Sequence, residues 1–187
     1  MRKVLVIGTG GIGSFLIPIL DRVDLYDITV ADPDKVEAKN LTYQNFEYDD
    51  IGEYKVDAME HRYCNLKTIK YPILSEKQMK GYDLVICCVD NIGLRRTMYN
   101  CKDLKWLDLR AQGRNGALIS YMTDPKHCDT FLAGPDGSFS CQGESFGKTL
   151  DKRSLHFTHV AVAGMAAQWM QRWFNDEDIF DKRIVNI

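Results

Sequence analysis

The residues best suited to chemistry open the chain: Gly8-Thr9-Gly10-Gly11-Ile12-Gly13. In G-x-G-x-x-G spacing the first glycine makes a tight turn and the second lets backbone approach a phosphate or ribose. The third lets the following helix pack close to the strand. The pattern carries meaning between a strand and a helix. Residues 3–7, Lys-Val-Leu-Val-Ile, are a short β-branched apolar run that ends at Gly8, and residues 11–20 place Ile12, Phe15, Leu16, Ile19 and Leu20 near one helical face. The start of that helix favours an anion. Asp32 follows the next apolar stretch, residues 28–31, and lies 24 residues after Gly8. A carboxylate there accepts hydrogen bonds from ribose hydroxyls. The expectation is a nucleotide site. The glycines alone suit NAD as readily as ATP, and a ligand-free glycine turn is the plain structural alternative.

Asn40, Gln44, Lys55 and Asp90 are polar residues further along the chain. Asp90-Asn91 ends residues 84–89, Leu-Val-Ile-Cys-Cys-Val, which read as a central strand buried on both faces. Asp32 and Asp90 would both stand at carboxyl ends of parallel strands, where open sheets of this kind bind ligands. Three of them have a plain structural reading: Asn40 as a helix or turn cap, Lys55 as a solvated helix lysine, Asp90-Asn91 as a helix N-cap.

The six cysteines, Cys64, Cys87, Cys88, Cys101, Cys128 and Cys141, contain no C-x-x-C pair, so zinc is not expected. Cys87 and Cys88 read as buried small hydrophobes and the thiols as free. His156 and His159, one helical turn apart, read as surface or packing residues.

These residues need elements to hold them. Strands over 3–7, 28–31, 66–69 and 84–89 alternate with helices over 11–20, 51–62 and 92–103. In the second of those helices Ile51, Tyr54, Lys55, Ala58 and Met59 stand at helical offsets. Residues 33–50 read as an ordered loop or short helical turns, and residues 75–81 as one helical turn. Residues 106–111 and 117–122 read as strands around the turn 113–116. Residues 156–174 form a helix whose apolar stripe is Val160, Ala163, Gly164, Ala167, Met170 and Phe174, and 183–187 a final short strand. The fold class is therefore α/β: a Rossmann-like, mostly parallel sheet with helices on both faces, then a small antiparallel extension and a C-terminal helix. Residues 1–187 read as a single domain, with 124–153 a long substrate or crossover loop.

Composition narrows the partners. At 45% hydrophobic and 27% charged, with a formal net charge of −2, the chain gives no reason to expect nucleic acid or an anionic membrane. The apolar run after Arg2-Lys3 is too short for a signal peptide, and no window reaches the roughly 18 apolar residues of a membrane span. A cytoplasmic protein is expected.

Residues 32–46, Asp-Pro-Asp-Lys-Val-Glu-Ala-Lys-Asn-Leu-Thr-Tyr-Gln-Asn-Phe, resemble the acidic strand end leading to Asn-Leu-x-Arg-Gln in the ThiF/MoeB/HesA family of ubiquitin-E1-like adenylyltransferases. Asp50-Ile51-Gly52-Glu53-Tyr54-Lys55 is similar to that family's D-I-G-x-x-K. Val85 to Asn91, with Arg95 and Arg96 beyond, is similar to its apolar strand ending in Asp-Asn. Gly113 and Gly116 fit its later hairpin, and 156–174 its Gly/Ala-rich closing helix. The resemblance runs over most of the chain, in order. It implies an ATP loop of Gly8, Gly10, Gly11 and Gly13, a ribose carboxylate at Asp32, and phosphate contacts from Asn40, Gln44 and Lys55. It also implies a magnesium ligand at Asp90, with Lys55 and Asp90 as catalytic groups. Cys141, in a polar glycine-rich loop, stands near a cysteine some relatives use for thioester or persulfide chemistry; a structural cysteine is the alternative.

The implied reaction is ATP- and Mg²⁺-dependent adenylation of a carboxylate, at the C-terminus of a ubiquitin-like sulfur carrier or a peptide, in a homodimer. The chain departs from the pattern at two places. Tyr43 stands where the family has an arginine, and the chain opens on its first strand without the family's arginine-bearing N-terminal helix. Arg95, Arg96, Arg110 and Arg114 are the candidates to replace that charge. Two other functions stay open: a non-catalytic E1-like partner subunit, favoured by the missing arginines, and an NAD(P)-dependent oxidoreductase.

Overall fold

The computed structural model describes residues 1–63, 65–128 and 155–187. In chain order the elements are β1 (Arg2–Ile7), α1 (Gly13–Val23), β2 (Tyr26–Ala31), two 3₁₀ turns (Ala38–Thr42 and Tyr48–Asp50), α2 (Lys55–Arg62) and β3 (Leu66–Ile69). Then follow α3 (Glu76–Met79), β4 (Leu84–Cys87), α4 (Ile92–Tyr99), β5 (Trp106–Gln112), β6 (Asn115–Ser120), α5 (Pro125–Cys128), α6 (Thr158–Phe174) and β7 (Lys182–Asn186). The strands form one seven-stranded sheet in the order β3-β2-β1-β4-β5-β6-β7. β1 to β5 are parallel, and β6 and β7 join antiparallel.

The alternation of strand side chains divides the core in two. Val4, Val6, Ile28, Val30, Leu84, Ile86, Leu107 and Leu109 face α1, α2 and α6. Leu5, Ile7, Val85, Cys87 and Trp106 face α3 and α4. Helices cover both faces, so β1 and β4 read as unbroken apolar runs rather than alternating ones. No helix among the described residues is long and apolar enough to cross a membrane.

Several boundaries and faces differ from expectation. α1 starts at Gly13 and stops where Asp24 turns left-handed, at φ 51°. Its buried face uses Ile17 rather than Ile19, which is 39% exposed. α2 starts at Lys55, because Gly52 at φ +93° breaks any helix through 51–54. β4 ends at Cys87, releasing Cys88 and Val89 from the sheet. α4 ends at Tyr99. On α6 the buried face is Thr158, His159, Val162, Ala163, Ala166, Trp169, Met170 and Trp173. Val160 and Gly164 turn outward. The three tryptophans Trp106, Trp169 and Trp173 are all core.

The antiparallel half is tied to the parallel half by α6. A Cβ at Gly116 of β6 would lie 2.6 Å from Val162 Cγ2, so the helix rests almost on strand backbone there. Thr158 Oγ1 donates to the Gly113 carbonyl at 2.7 Å. At the other end of α6, Arg2 donates to the carbonyls of Trp173 and Phe174, both at 3.0 Å, and its guanidinium lies 4.4 Å over the Trp173 ring. A cation on the last carbonyls is the favourable polarity for a helix C-terminus.

Candidate nucleotide site

The chain leaves β1 toward β2 on one side and leaves β4 toward β5 on the other, so the crevice between the carboxyl ends of β1 and β4 is the topological switch point of the sheet. A cavity of about 260 Å³ opens there, lined by Gly8, Gly10, Gly11, Asp32, Asp34, Tyr43, Gln44, Lys55, Cys88, Val89 and Asp90.

The glycine loop closes it on one side. Gly8 has φ +96°, and a Cβ there would meet Val89 Cγ1 at 2.6 Å. A Cβ at Gly13 would sit 1.9 Å from the Gly8 carbonyl oxygen. Gly13 therefore packs the loop rather than lining the cavity. Gly10 is the opposite case: a Cβ would meet nothing within 4 Å.

Asp32 is 5% exposed and anchors this loop. Its Oδ2 accepts from Thr9 N at 2.7 Å and Thr9 Oγ1 at 2.8 Å, and its Oδ1 accepts from Asp34 N at 2.9 Å. All three of these donors are neutral groups.

Lys55 starts α2. Its backbone N donates to the Asp34 carbonyl at 2.9 Å, and its Nζ lies 3.2 Å from Asp34 Oδ2. The lysine side chain is 8% exposed against 68% for Asp34, so this is a buried ammonium paired with a carboxylate at the rim, not a solvated helix lysine.

Gln44 is 8% exposed and its Oε1 has no hydrogen-bond partner among the described residues. A buried acceptor left unpaired costs about 1–3 kcal/mol unless a ligand supplies the donor. Asn40 lies behind this wall. It is buried, and its Oδ1 accepts from Glu37 N at 2.8 Å, which makes it a turn cap outside the cavity lining.

Asn91, not Asp90, caps α4: its Oδ1 accepts from Leu94 N at 2.9 Å. Asp90 is thereby left exposed at the cavity rim. The adjacent cysteines separate. Cys87 is fully buried, and burial pushes its thiol up to about 11, whereas Cys88 is half-buried and lines the cavity. Cys141 lies outside the described residues.

None of Arg95, Arg96, Arg110 and Arg114 lines the cavity. Arg95 and Arg110 are 3% exposed and gather around Asp108. Among the described lining residues, one ammonium thus stands against three carboxylates. Sequence reasoning passed over Thr9, Asp34 and Cys88. The signal was available for the first two: Thr9 occupies the x of G-x-G, and Asp34 repeats Asp32 across a proline.

Strand order, glycine loop and switch-point cavity define a Rossmann-like nucleotide-binding fold. The chain belongs to the ThiF family, whose description matches residues 1–186. It is 30% identical over 188 residues to ubiquitin-like modifier-activating enzyme 5 of Bombyx mori, covering 88% of this chain and 46% of that protein. It is 25% identical over 185 residues to the Gallus gallus protein of the same name, covering 87% and 45%. The chain thus spans about half the length of the curated relatives it matches. Among solved structures it is similar to E. coli MccB with MccA, at TM-score 0.77 and 15% identity over 100% of this chain and 60% of that one. It also matches E. coli MccB with ATP, at TM-score 0.72 and 17% identity over 95% and 57%. PaaA follows at TM-score 0.71 and 18% identity, covering 100% and 61%.

Proposed function

We propose that this chain binds ATP in the switch-point cavity and adenylates a carboxylate, the C-terminus of a peptide or ubiquitin-like protein. The observation that carries the reading is one switch-point cavity lined by the buried Gln44 with its unpaired Oε1, by Lys55, and by a glycine loop with open space where a Gly10 Cβ would stand. The relatives named for activating ubiquitin-like modifiers, and MccB with its ATP and MccA complexes, supply the substrate class.

In that reaction a substrate carboxylate oxygen attacks the α-phosphorus. An O–P bond forms, the bond to the β-phosphate bridging oxygen breaks, and pyrophosphate leaves. The carboxylate is already ionised at pH 7, so no strong base is needed. Gly10 admits the phosphates to the backbone N–H groups at the start of α1. Asp32 holds that loop rigid and offers its remaining lone pairs to a ribose. Lys55, buried and therefore strongly felt, stabilises charge on the phosphate oxygens. Three carboxylates around the cavity oppose a bare polyphosphate. Asp90 and Asp34 are hard oxygen donors at the rim, and they fit a Mg²⁺ that brings its other ligands as phosphate oxygens and water. When bound, that ion supplies charge neutralisation. A second copy of the chain as partner, and a nucleophilic Cys141, belong to the same proposal.

The test is ATP–pyrophosphate exchange with Mg²⁺ and peptides ending in Gly-Gly, on wild type and Asp90→Ala. Exchange that disappears in the variant supports adenylation. Tyr43 at the arginine position favours a second reading, a non-catalytic partner subunit. ATP binding by calorimetry without exchange would select it, and preferential binding of NAD would overturn both.

A further inference from the structure

Pro18 lies inside α1. A proline has no N–H, so the carbonyl four residues earlier, that of Ser14, is denied its helical donor. The structure shows what takes its place: Asn45 Nδ2 donates to the Ser14 carbonyl at 3.2 Å. The same asparagine donates its backbone N–H to Ser14 Oγ at 3.0 Å. Its own carbonyl accepts from Arg62 at 3.2 Å, so α2 holds it from the far side. The carbonyl at Ser14 requires a donor, which fixes the orientation of the Asn45 amide.

Asn45 follows Tyr43 and Gln44, the two residues of this segment that line the cavity. Upstream, the amides of Tyr43 and Gln44 donate to the Asn40 carbonyl at 3.1 and 2.8 Å. Downstream, Phe46 is buried in the core. The Tyr43–Gln44 wall is therefore suspended between a turn and a clamp, and the clamp closes on the helix that begins with the glycine loop. Two hydrogen bonds thus join the Tyr43–Gln44 segment to α1, and one of them uses the carbonyl that the proline leaves open.

We propose that Asn45 is a positioning residue for nucleotide binding, and that Pro18 serves this site by leaving the Ser14 carbonyl open for it. The inference rests on the reading of the cavity as an ATP site.

The deciding variant is Pro18→Ala. It restores an N–H that competes for the Ser14 carbonyl inside the helix, and it removes a helix-breaking residue. A purely structural role would move stability and binding together. The clamp predicts opposite signs. The urea midpoint rises, while the calorimetric Kd for MgATP also rises, by roughly three- to tenfold as for one lost hydrogen bond. Asn45→Asp, which removes the donor at nearly constant shape, weakens MgATP binding in the wild-type background and adds nothing in the Pro18→Ala background.

Unchanged Kd in Pro18→Ala overturns the proposal and leaves the ATP reading standing. Failure of wild type to bind MgATP overturns the ATP reading instead. In that case, amide hydrogen exchange over Gln44–Phe46 still decides the clamp. Faster exchange in Pro18→Ala supports it, and equal exchange ends it.

Discussion

Two buried aspartates sit almost level in this sheet and do opposite things. Ala31, Ile7, Cys87 and Asp108 share one rung across β2, β1, β4 and β5, and Asp32 is the next residue beyond it. Asp32 is held by N–H and O–H donors alone and borders a cavity. Asp108 is fully buried, within 3.0 Å of Arg95 Nε and 2.8 Å of Arg110, and accepts from the Tyr99 hydroxyl. Burial and the adjacent Asp108 hold the Tyr99 phenol far above its ordinary range, so it remains a neutral donor. One aspartate leaves a negative charge beside open space. The other is outnumbered by guanidinium groups in a sealed core. The residue type is the same; its distance from the switch point decides whether it can meet a ligand.

Breaking the sealed member should have the largest effect. Asp108→Ala removes the carboxylate that two buried guanidinium groups share, and loss of one partner from a buried charge pair costs about 3–5 kcal/mol. Urea unfolding should show a correspondingly lower midpoint. Should the midpoint barely move, the cluster is hydrated and the contrast with Asp32 collapses. Asp32→Ala comes next. It leaves the Thr9 amide and hydroxyl without their acceptor and should cost about 1–3 kcal/mol, while calorimetry should detect no ATP binding. Retained binding with lowered stability would make Asp32 a loop anchor only.

The same contrast marks how far the sequence could be read. Glycine spacing and the apolar runs placed the strands and the glycine loop, because both depend on local pattern and both faces of the sheet are covered. Asp32, Lys55 and Asp90, read from a strand end or motif, are all found lining the cavity. Asp108 and Arg110 were not legible as a pair. They are two apart on a strand that reads as apolar, and their third partner comes from α4. The stripe read on α6 holds only at Ala163 and Met170: α6 packs on β5, β6 and α1 together, so burial also follows Trp169 and Trp173 rather than Gly164 and Ala167. The cap at Asn40 needed a backbone N–H three residues upstream, which only folding reveals.

The glycine loop sharpens the comparison without touching charge. Gly10→Ala adds a methyl that meets no protein atom, so stability should stay within about 0.5 kcal/mol of wild type. MgATP affinity should fall, because that methyl occupies the approach of the phosphates. Gly13→Ala reverses the pattern, since its Cβ would lie 1.9 Å from the Gly8 carbonyl oxygen. Paired melting curves and calorimetry on the two variants separate packing glycine from binding glycine. Equal loss of stability in both would mean that the whole loop is structural.

The smallest effect concerns His159, which is fully buried behind the Tyr43 side of the cavity, with its ring centroid 5.5 Å from that of Phe15 on α1. Burial holds its pKa below the ordinary histidine value, against the pull of the Tyr43 and His156 backbone. The folded protein therefore binds this proton less readily than the unfolded chain. The stability this contributes is complete above the ordinary histidine pKa of about 6.5 and is lost as pH falls from there toward the folded value. The slope stays below the roughly 1.4 kcal/mol per pH unit that one full proton gives. His159→Phe should flatten the urea-midpoint profile between pH 7 and 5 while leaving it nearly unchanged at pH 8. A profile that keeps its slope in the variant would show that His159 is not the source of the acid sensitivity.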